Sequence, residues 1–253
     1  MQRYFVPAGQ FRPEAVILTG EDARHLTRVL RGRVGDRFIA ADGSGREVLA
    51  EVESIGRDEV RAAIIEERRS ASEPGVDIWV AQSLPKADKM ELILQKGTEL
   101  GVARFLPFAS RRTVVQYDGR QEEKRTERWR KIAKEAAEQA HRGRLPDVEA
   151  PLTWMELLAI VPRTERAWIL YERETANGIK AALRRHRAGR DRPAGPLMIL
   201  VGPEGGFEER EVAEAVAAGC EAVSLGPRVL RTETAALAAA AAILYEYGEM
   251  GGN

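Results

Sequence analysis

Two apolar runs late in the chain each break into a Gly-Pro loop and then into a helix-forming stretch. Leu197–Val201 leads into Gly202, Pro203, Glu204, Gly205 and Gly206. Residues 222–225 lead into Gly226 and Pro227, followed by the segment 228–234. A short, wholly apolar strand between glycine loops is what a sheet buried on both faces requires. When such strands alternate with helices, each helix carries the chain back and the strands run parallel. Parallel sheets bind ligands outside the carboxyl ends of their strands. The two loops therefore predict a cleft between neighbouring parallel strands.

The rest of the chain extends this pattern only in part. Up to residue 70 it reads as short strands over 4–6, 15–18, 37–41, 48–55 and 60–66, separated by Gly, Pro and Asp turns. Residues 20–31 are the exception. Glu21 and Asp22 open a helix whose apolar positions are Ala23, Leu26, Val29 and Leu30, while Arg24, His25, Arg28 and Arg31 lie on its other face. A small β-barrel with one basic helix follows. The polar SASEPG segment at 70–75 is the natural linker, giving domains over 1–70 and 76–253. Beyond it, strands at 77–82, 103–108 and 167–171 alternate with helices at 88–100, 124–139, 154–160, 177–185, 208–218 and 234–247. The last helix carries alanine on nearly every face, which suits either a buried core helix or a dimer interface.

Composition bounds the function. With 253 residues, 44% hydrophobic and 31% charged, the chain is globular and long enough for two domains. Formal net charge is zero, which argues against a strongly basic scaffold, yet the charges separate locally. Five arginines between 24 and 37 face Asp36 alone, a pattern that suits RNA or an ordinary solvated helix face. A single cysteine, Cys220, excludes an internal disulfide, and no apolar run is long enough to span a membrane. A reducing, cytoplasmic compartment is expected.

Several chemistries are missing from the glycine loops. There is no GxxxxGK[ST] phosphate loop, no GxGxxG dinucleotide fingerprint and no Gly-x-Ser-x-Gly elbow. His25, His141 and His186 are far apart and no spacing suggests a metal site. What remains is a cleft built of backbone. Glycines at 202, 205, 206 and 226 let main-chain N–H and C=O groups approach a flat polar heterocycle such as adenine, with Leu225 and Leu230 as apolar walls. Ordinary strand-to-helix turns are the plainer alternative.

GPEGGF at 202–207 and LGPRVLRTETA at 225–235 resemble the signature loops of the SPOUT methyltransferases. More narrowly, the chain resembles the bacterial 16S ribosomal RNA uridine N3-methyltransferase (RsmE-like) family. RYFV at 3–6, HLTRVLR at 25–31, QKGTELGV at 95–102, RTV at 112–114 and AAEQAHRGRLP at 136–146 carry the likeness along nearly its whole length. Ala140 and His141 before Arg142 depart slightly from the family's pattern. The resemblance implies an N-terminal PUA-like barrel that helps hold RNA. It also implies a C-terminal, mostly parallel α/β domain with a trefoil knot around S-adenosylmethionine, and a homodimer, with the alanine-rich helix as one route to it. The implied reaction is methylation of N3 of uridine 1498 in 16S ribosomal RNA, within the assembled 30S subunit, without metal or membrane.

Roles follow from that chemistry. Uridine N3 must lose a proton, and negative charge then spreads to the flanking carbonyls, so a fixed cation beside them lowers the barrier. Arg231 is the first candidate, against a structural arginine paired with Glu233 or a helix carboxylate. Glu204 and Glu233 are candidate bases, or carboxylates that orient loop amides. Gly202, Pro203, Glu204, Gly205, Leu225, Gly226, Leu230 and Thr234 are expected to hold the cofactor, with Leu170, Tyr171 and Glu172 approaching by family position. RNA contact is expected from Arg3, His25, Arg28 and Arg31 in the barrel and from Lys86, Arg112 and Arg142 in the second domain.

Overall fold

The computed structural model describes residues 1–115 and 119–251. It divides into two compact units, residues 1–73 with 137–145, and residues 74–136 with 146 onward.

In the first unit, β1 (Arg3–Phe5), β2 (Ala15–Thr19), β3 (Arg37–Ala41), β4 (Arg46–Ile55) and β5 (Glu59–Arg69) form one sheet in the order β1-β3-β4-β5-β2. β1 runs parallel to β3 and the other pairs are antiparallel. The expected barrel takes the form of a half-barrel, with β1 and β2 as its edges. Alternation sets the inner face: Phe38 and Ala40 of β3 and Val48, Ala50 and Val52 of β4 join Tyr4, Val16 and Leu18 in the core. The β4–β5 ladder shifts register twice, with Ile65 of β5 extra opposite Leu49/Ala50 and Glu53 of β4 extra between Val52 and Ser54. The expected helix 20–31 is shorter: α1 (Gly20–Arg24) widens into a π-helical turn over His25–Val29.

The boundary expected at residue 70 misses the unit's last piece. Glu73 draws residues 142–144 into the sheet domain. Its carboxylate pairs with Arg142 at 2.8 Å and accepts the backbone N–H groups of Gly143 and Arg144 at 2.9 and 3.1 Å. Arg3 donates to the Arg142 carbonyl at 3.1 Å, and the Phe5 N–H donates to Glu138 at 3.0 Å.

The second unit supplies β6 (Ile78–Ser83), α2 (Lys89–Leu100), β7 (Arg104–Phe108), β8 (Asp147–Val148), α4 (Trp154–Ile160), β9 (Arg166–Leu170), α5 (Ile179–Arg187), β10 (Leu197–Val201), α6 (Glu209–Ala217), β11 (Cys220–Val223) and α7 (Thr232–Glu246). α3 (Gly119–Gln139) begins in this unit and ends in the first. All pairings of the six strands are parallel, in the order β11-β9-β10-β6-β7-β8. Successive residues of β10 point to opposite faces: Leu197, Ile199 and Val201 pack with residues of α2, α5 and α7, and Met198 and Leu200 with residues of α4 and α6. α2 ends as expected at Gly101, whose φ of 107° closes the turn.

Two expectations change. β11 lies two residues earlier than 222–225, which leaves Leu225 in the loop. The strands bearing the Gly-Pro loops are not neighbours, because β9 lies between β10 and β11. The exit of β9, at 170–172, therefore opens between the two loops. α7 buries Ala236, Ala239, Ala240 and Ile243 in its own unit, so at least this face of the alanine helix is core. Among the described residues no helix is long and apolar enough to cross a membrane, and no group of three or more His, Cys, Asp and Glu could hold a metal ion. Burial pushes the Cys220 thiol up to about 12, so it stays protonated and inert.

Candidate active site

The loops after β9, β10 and β11 enclose a cavity of about 830 Å³. The β9 loop contributes Leu170, Tyr171, Glu172 and Glu174, the β10 loop runs from Gly202 to Gly206, and the β11 loop from Ser224 to Arg231. Thr232 and Ala235, in the first turn of α7, and Lys89 of α2 also line it.

The β10 loop is a tight turn, with the Gly206 N–H donating to the Pro203 carbonyl at 2.9 Å. Gly206 has φ of +66°, and a Cβ there would lie 2.8 Å from a Glu172 carboxylate oxygen. The left-handed backbone is what calls for glycine here, since the Glu172 carboxylate at the end of a flexible side chain could move aside. Phe207 anchors the loop below by stacking on Phe108, with centroids 6.3 Å apart and planes at 5°. From above, Arg112 donates to the Gly205 carbonyl at 2.7 Å. The Tyr171 N–H donates to the Val223 carbonyl at 3.0 Å and ties the β9 loop to the end of β11.

Two polar links join this loop to α2 and α7. The deeper one runs from Gln82 Nε2 to Thr232 Oγ1 at 2.9 Å and from that hydroxyl to the Gly202 carbonyl at 2.6 Å. The shallower one is Lys89, whose Nζ lies 2.6 Å from Glu204 and 3.8 Å from Glu233. Glu204 also accepts the Lys86 N–H at 3.1 Å. Burial alone would raise the Glu204 carboxyl, but the Lys89 ammonium and the backbone amides of Glu204 and Lys86 outweigh it and hold it below the usual range. A carboxylate so stabilised is a weak base. Its geometry is that of a loop anchor, the alternative role considered above. Glu233 is mostly buried, and its Oε2 has no hydrogen-bond partner among the described residues.

Of the residues expected at the cofactor, Leu170, Tyr171, Glu172, Gly202, Pro203, Glu204, Gly205, Leu225, Gly226 and Leu230 all line the cavity. Thr234 does not: α7 starts two residues earlier than expected, so Thr234 is exposed and Thr232 takes the inward position. Arg231 lines the cavity and is exposed; its carbonyl accepts the Ala235 N–H at 2.8 Å, and its side chain makes no hydrogen bond or ion pair among the described residues. It is not paired with Glu233.

The residues expected at RNA separate into two kinds. Arg3 and Arg142 are 7% and 3% exposed and are held by Glu47 and Glu73, so neither offers its guanidinium to a phosphate. Both cations are buried within the first unit, against the expectation that they contact RNA. Arg28, Arg31, Lys86 and Arg112 are exposed. His25 is half-buried, its Nδ1 3.0 Å from the Tyr4 hydroxyl.

Family comparison gives the following matches. A family model described as an RNA methyltransferase domain matches residues 72–244, and one described as an RNA methyltransferase PUA domain matches residues 18–65. The ribosomal RNA small subunit methyltransferase E of Bacillus subtilis is 37% identical over 249 residues, 97% of each chain. That of Mycobacterium bovis is 36% identical, over 90% of this chain and 85% of its own. A crystal structure of the Neisseria gonorrhoeae ribosomal RNA small subunit methyltransferase E bound to S-adenosyl methionine aligns with a TM-score of 0.86. It has 32% identity and covers 99% of this chain and 100% of that one.

Proposed function

The chain belongs to the RNA methyltransferase family, and we propose that it transfers the methyl group of S-adenosylmethionine to N3 of a uridine, uridine 1498, in the 16S ribosomal RNA of the small subunit. The observation that carries this reading is a backbone-lined cavity whose lining holds two guanidiniums, Arg228 and Arg231, without a partner among the described residues; of the two, Arg231 sits at the start of α7, beside Thr232.

The residues present fit such a cofactor. A volume of about 830 Å³ suits a ligand of nucleoside size, and Leu225 and Leu230 offer apolar walls for a purine. Glu172 and Glu174 offer negative charge to a cationic ligand. The cofactor, when bound, supplies a methyl carbon already activated by its sulfonium. The chain's task is then to bind, orient and stabilise charge. Arg231 would hold the uridine carbonyl oxygens as N3 loses its proton, stabilising the anion as it forms. Lys89 would hold Glu204 and Glu233 so that the β10 loop and the start of α7 keep one geometry.

Further parts of the reading are proposals of the same kind. They are a trefoil knot formed by the loops at 202–206 and 225–231, a homodimer, action on the assembled 30S subunit, and a cytoplasmic setting. Calorimetry with S-adenosylmethionine, followed by mass mapping of 16S RNA from treated unmethylated 30S subunits, tests the whole. Absence of cofactor heat overturns the methyltransferase reading. A methyl on another nucleotide overturns only the assignment to uridine 1498.

Lys89 gives a second test. Lys89→Met is expected to raise the KM for S-adenosylmethionine about tenfold, equivalent to about 1.4 kcal/mol of binding, with little change in kcat. Lys89→Arg should restore most of it. A loss confined to kcat would instead place Lys89 at the reacting atoms.

A further inference from the structure

The tip of the first unit, residues 24–34, combines features that its own fold does not use. Ala23 and Leu26 are buried in the core, and Gly32 packs on Leu26, its N–H donating to the Leu26 carbonyl at 2.9 Å. With those anchors in place, the π-helical turn and the reversal after it drive the apolar side chains between them outward. Val29, Leu30 and Val34 are 66%, 47% and 65% exposed, three large apolar side chains within six residues. Arg31 takes a left-handed φ of 56°, a conformation that costs a non-glycine residue on the order of 1 kcal/mol.

The charges at the tip are as unusual. Arg37, Arg46, Arg61 and Arg68, on the strands of the same unit, each pair with a glutamate. Arg24, Arg28, Arg31 and Arg33 are exposed, and their side chains make no hydrogen bond or ion pair among the described residues. Asp36, the nearest carboxylate in sequence to Arg31 and Arg33, accepts the backbone N–H of Arg33 at 2.7 Å. Arg57 and Arg69 of the same unit are likewise exposed and without a side-chain partner among the described residues, so what sets the tip apart is the gathering of four such arginines around an apolar patch.

We infer that this tip is an RNA-docking surface for unpaired nucleotides, in which the arginines hold phosphates and Val29, Leu30 and Val34 press on exposed base faces or sugar edges. Charge complementarity commits the surface to a polyanion. The apolar side chains decide which polyanion: a regular RNA duplex stacks its base faces out of reach, whereas loops, bulges and junctions splay them out. The inference deepens the proposed function and rests on RNA being the substrate. It adds that the first unit selects irregular RNA rather than merely concentrating phosphate.

The test uses the full chain and two labelled RNA probes with equal numbers of phosphates, a hairpin with a long unpaired loop and an unbroken duplex, titrated by fluorescence anisotropy across salt. The wild-type chain is expected to bind the hairpin several-fold more tightly. Val29→Ser/Leu30→Ser should erase that preference while keeping the salt dependence. Arg28→Ala/Arg31→Ala should weaken both probes and lower the salt slope by roughly 1.5, at about 0.7–0.9 per phosphate contact. Melting temperature should be unchanged in both variants, because the altered side chains are exposed. Equal affinity for the two probes, or hairpin binding untouched by the serine pair, overturns the inference. So does binding untouched by the alanine pair, which would leave the tip to a protein partner. Calorimetry with S-adenosylmethionine on the same samples keeps the two readings apart: RNA selectivity without cofactor heat would fail only the proposed function.

Discussion

Arg231→Ala is expected to lower methyl-transfer turnover by roughly 10²–10³-fold, the loss typical of removing one preorganised charge-stabilising donor, while cofactor affinity stays within about tenfold. Arg231 lines the cavity and spends its guanidinium on no carboxylate among the described residues. Its removal therefore strands no buried partner. The start of α7 is held independently, by the Thr232 hydroxyl on the Gly202 carbonyl and by Gln82 on that hydroxyl. The Arg231 N-cap position makes no side-chain cap, so truncation does not fray the helix by that route. The proposed interaction exists only when N3 has lost its proton and charge has moved to the uridine oxygens. The effect should therefore fall on the single-turnover rate and not on ground-state binding. Arg231→Lys should recover part of the rate, since it keeps the charge and loses the planar fork. Unchanged turnover would remove Arg231 from the chemistry, and a large loss of cofactor heat would reassign it as a cofactor anchor.

The architecture was legible where periodicity is local. The apolar runs at Leu197–Val201 and 77–82 specify buried parallel strands, and the Gly202–Gly205 and Leu225–Leu230 loops line one cavity because loops after parallel strands converge by topology, whereas Leu170, Tyr171 and Glu172 are expected there from the family resemblance alone. Order across the sheet is a different kind of information. Nothing in residues 166–170 says that they enter between two strands that follow them in the chain. Lys89 and Thr232 were missed for a related reason. Each works through contacts more than a hundred positions away, Lys89 with Glu204 and Thr232 with Gln82. A lysine in the first turn of α2 otherwise reads as solvated surface. For Thr232 a local clue existed, since moving the start of α7 by two residues exchanges Thr232 for Thr234 on the inward face. β8 is only two residues long, too short for any pattern to register.

Arg142→Leu is expected to have the largest effect on stability, about 3–5 kcal/mol, the usual cost of leaving a buried charge without its partner. Arg142 and Glu73 side chains are 3% and 16% exposed, and the Glu73 carboxylate is built into the chain through the Gly143 and Arg144 amides. For a unit of this size such a loss lowers Tm on the order of 20 °C. All four tryptophans, at 79, 129, 154 and 168, belong to the second unit, so their fluorescence does not report the event. Hydrogen exchange at the amides of 143–144 and of β3 and β4 does. The pH dependence gives the sign. Burial would raise the Glu73 carboxyl, but Arg142 and the two amides outweigh it and hold it below its ordinary 4.5. The pair's contribution in the wild-type chain is therefore complete above about pH 4.5 and is lost as pH falls through the lower folded value. In Arg142→Leu the favourable charge is gone and burial dominates, so the Glu73 carboxyl should rise. Acid then relieves the variant by neutralising it, and its deficit against wild type should shrink as pH falls from 7 to 4. Glu73→Leu/Arg142→Leu should recover much of the loss at neutral pH, since no unpaired charge remains buried. Exchange at 143–144 that stays at the wild-type rate in Arg142→Leu would show that the amide contacts alone hold this segment, and that the ion pair is dispensable.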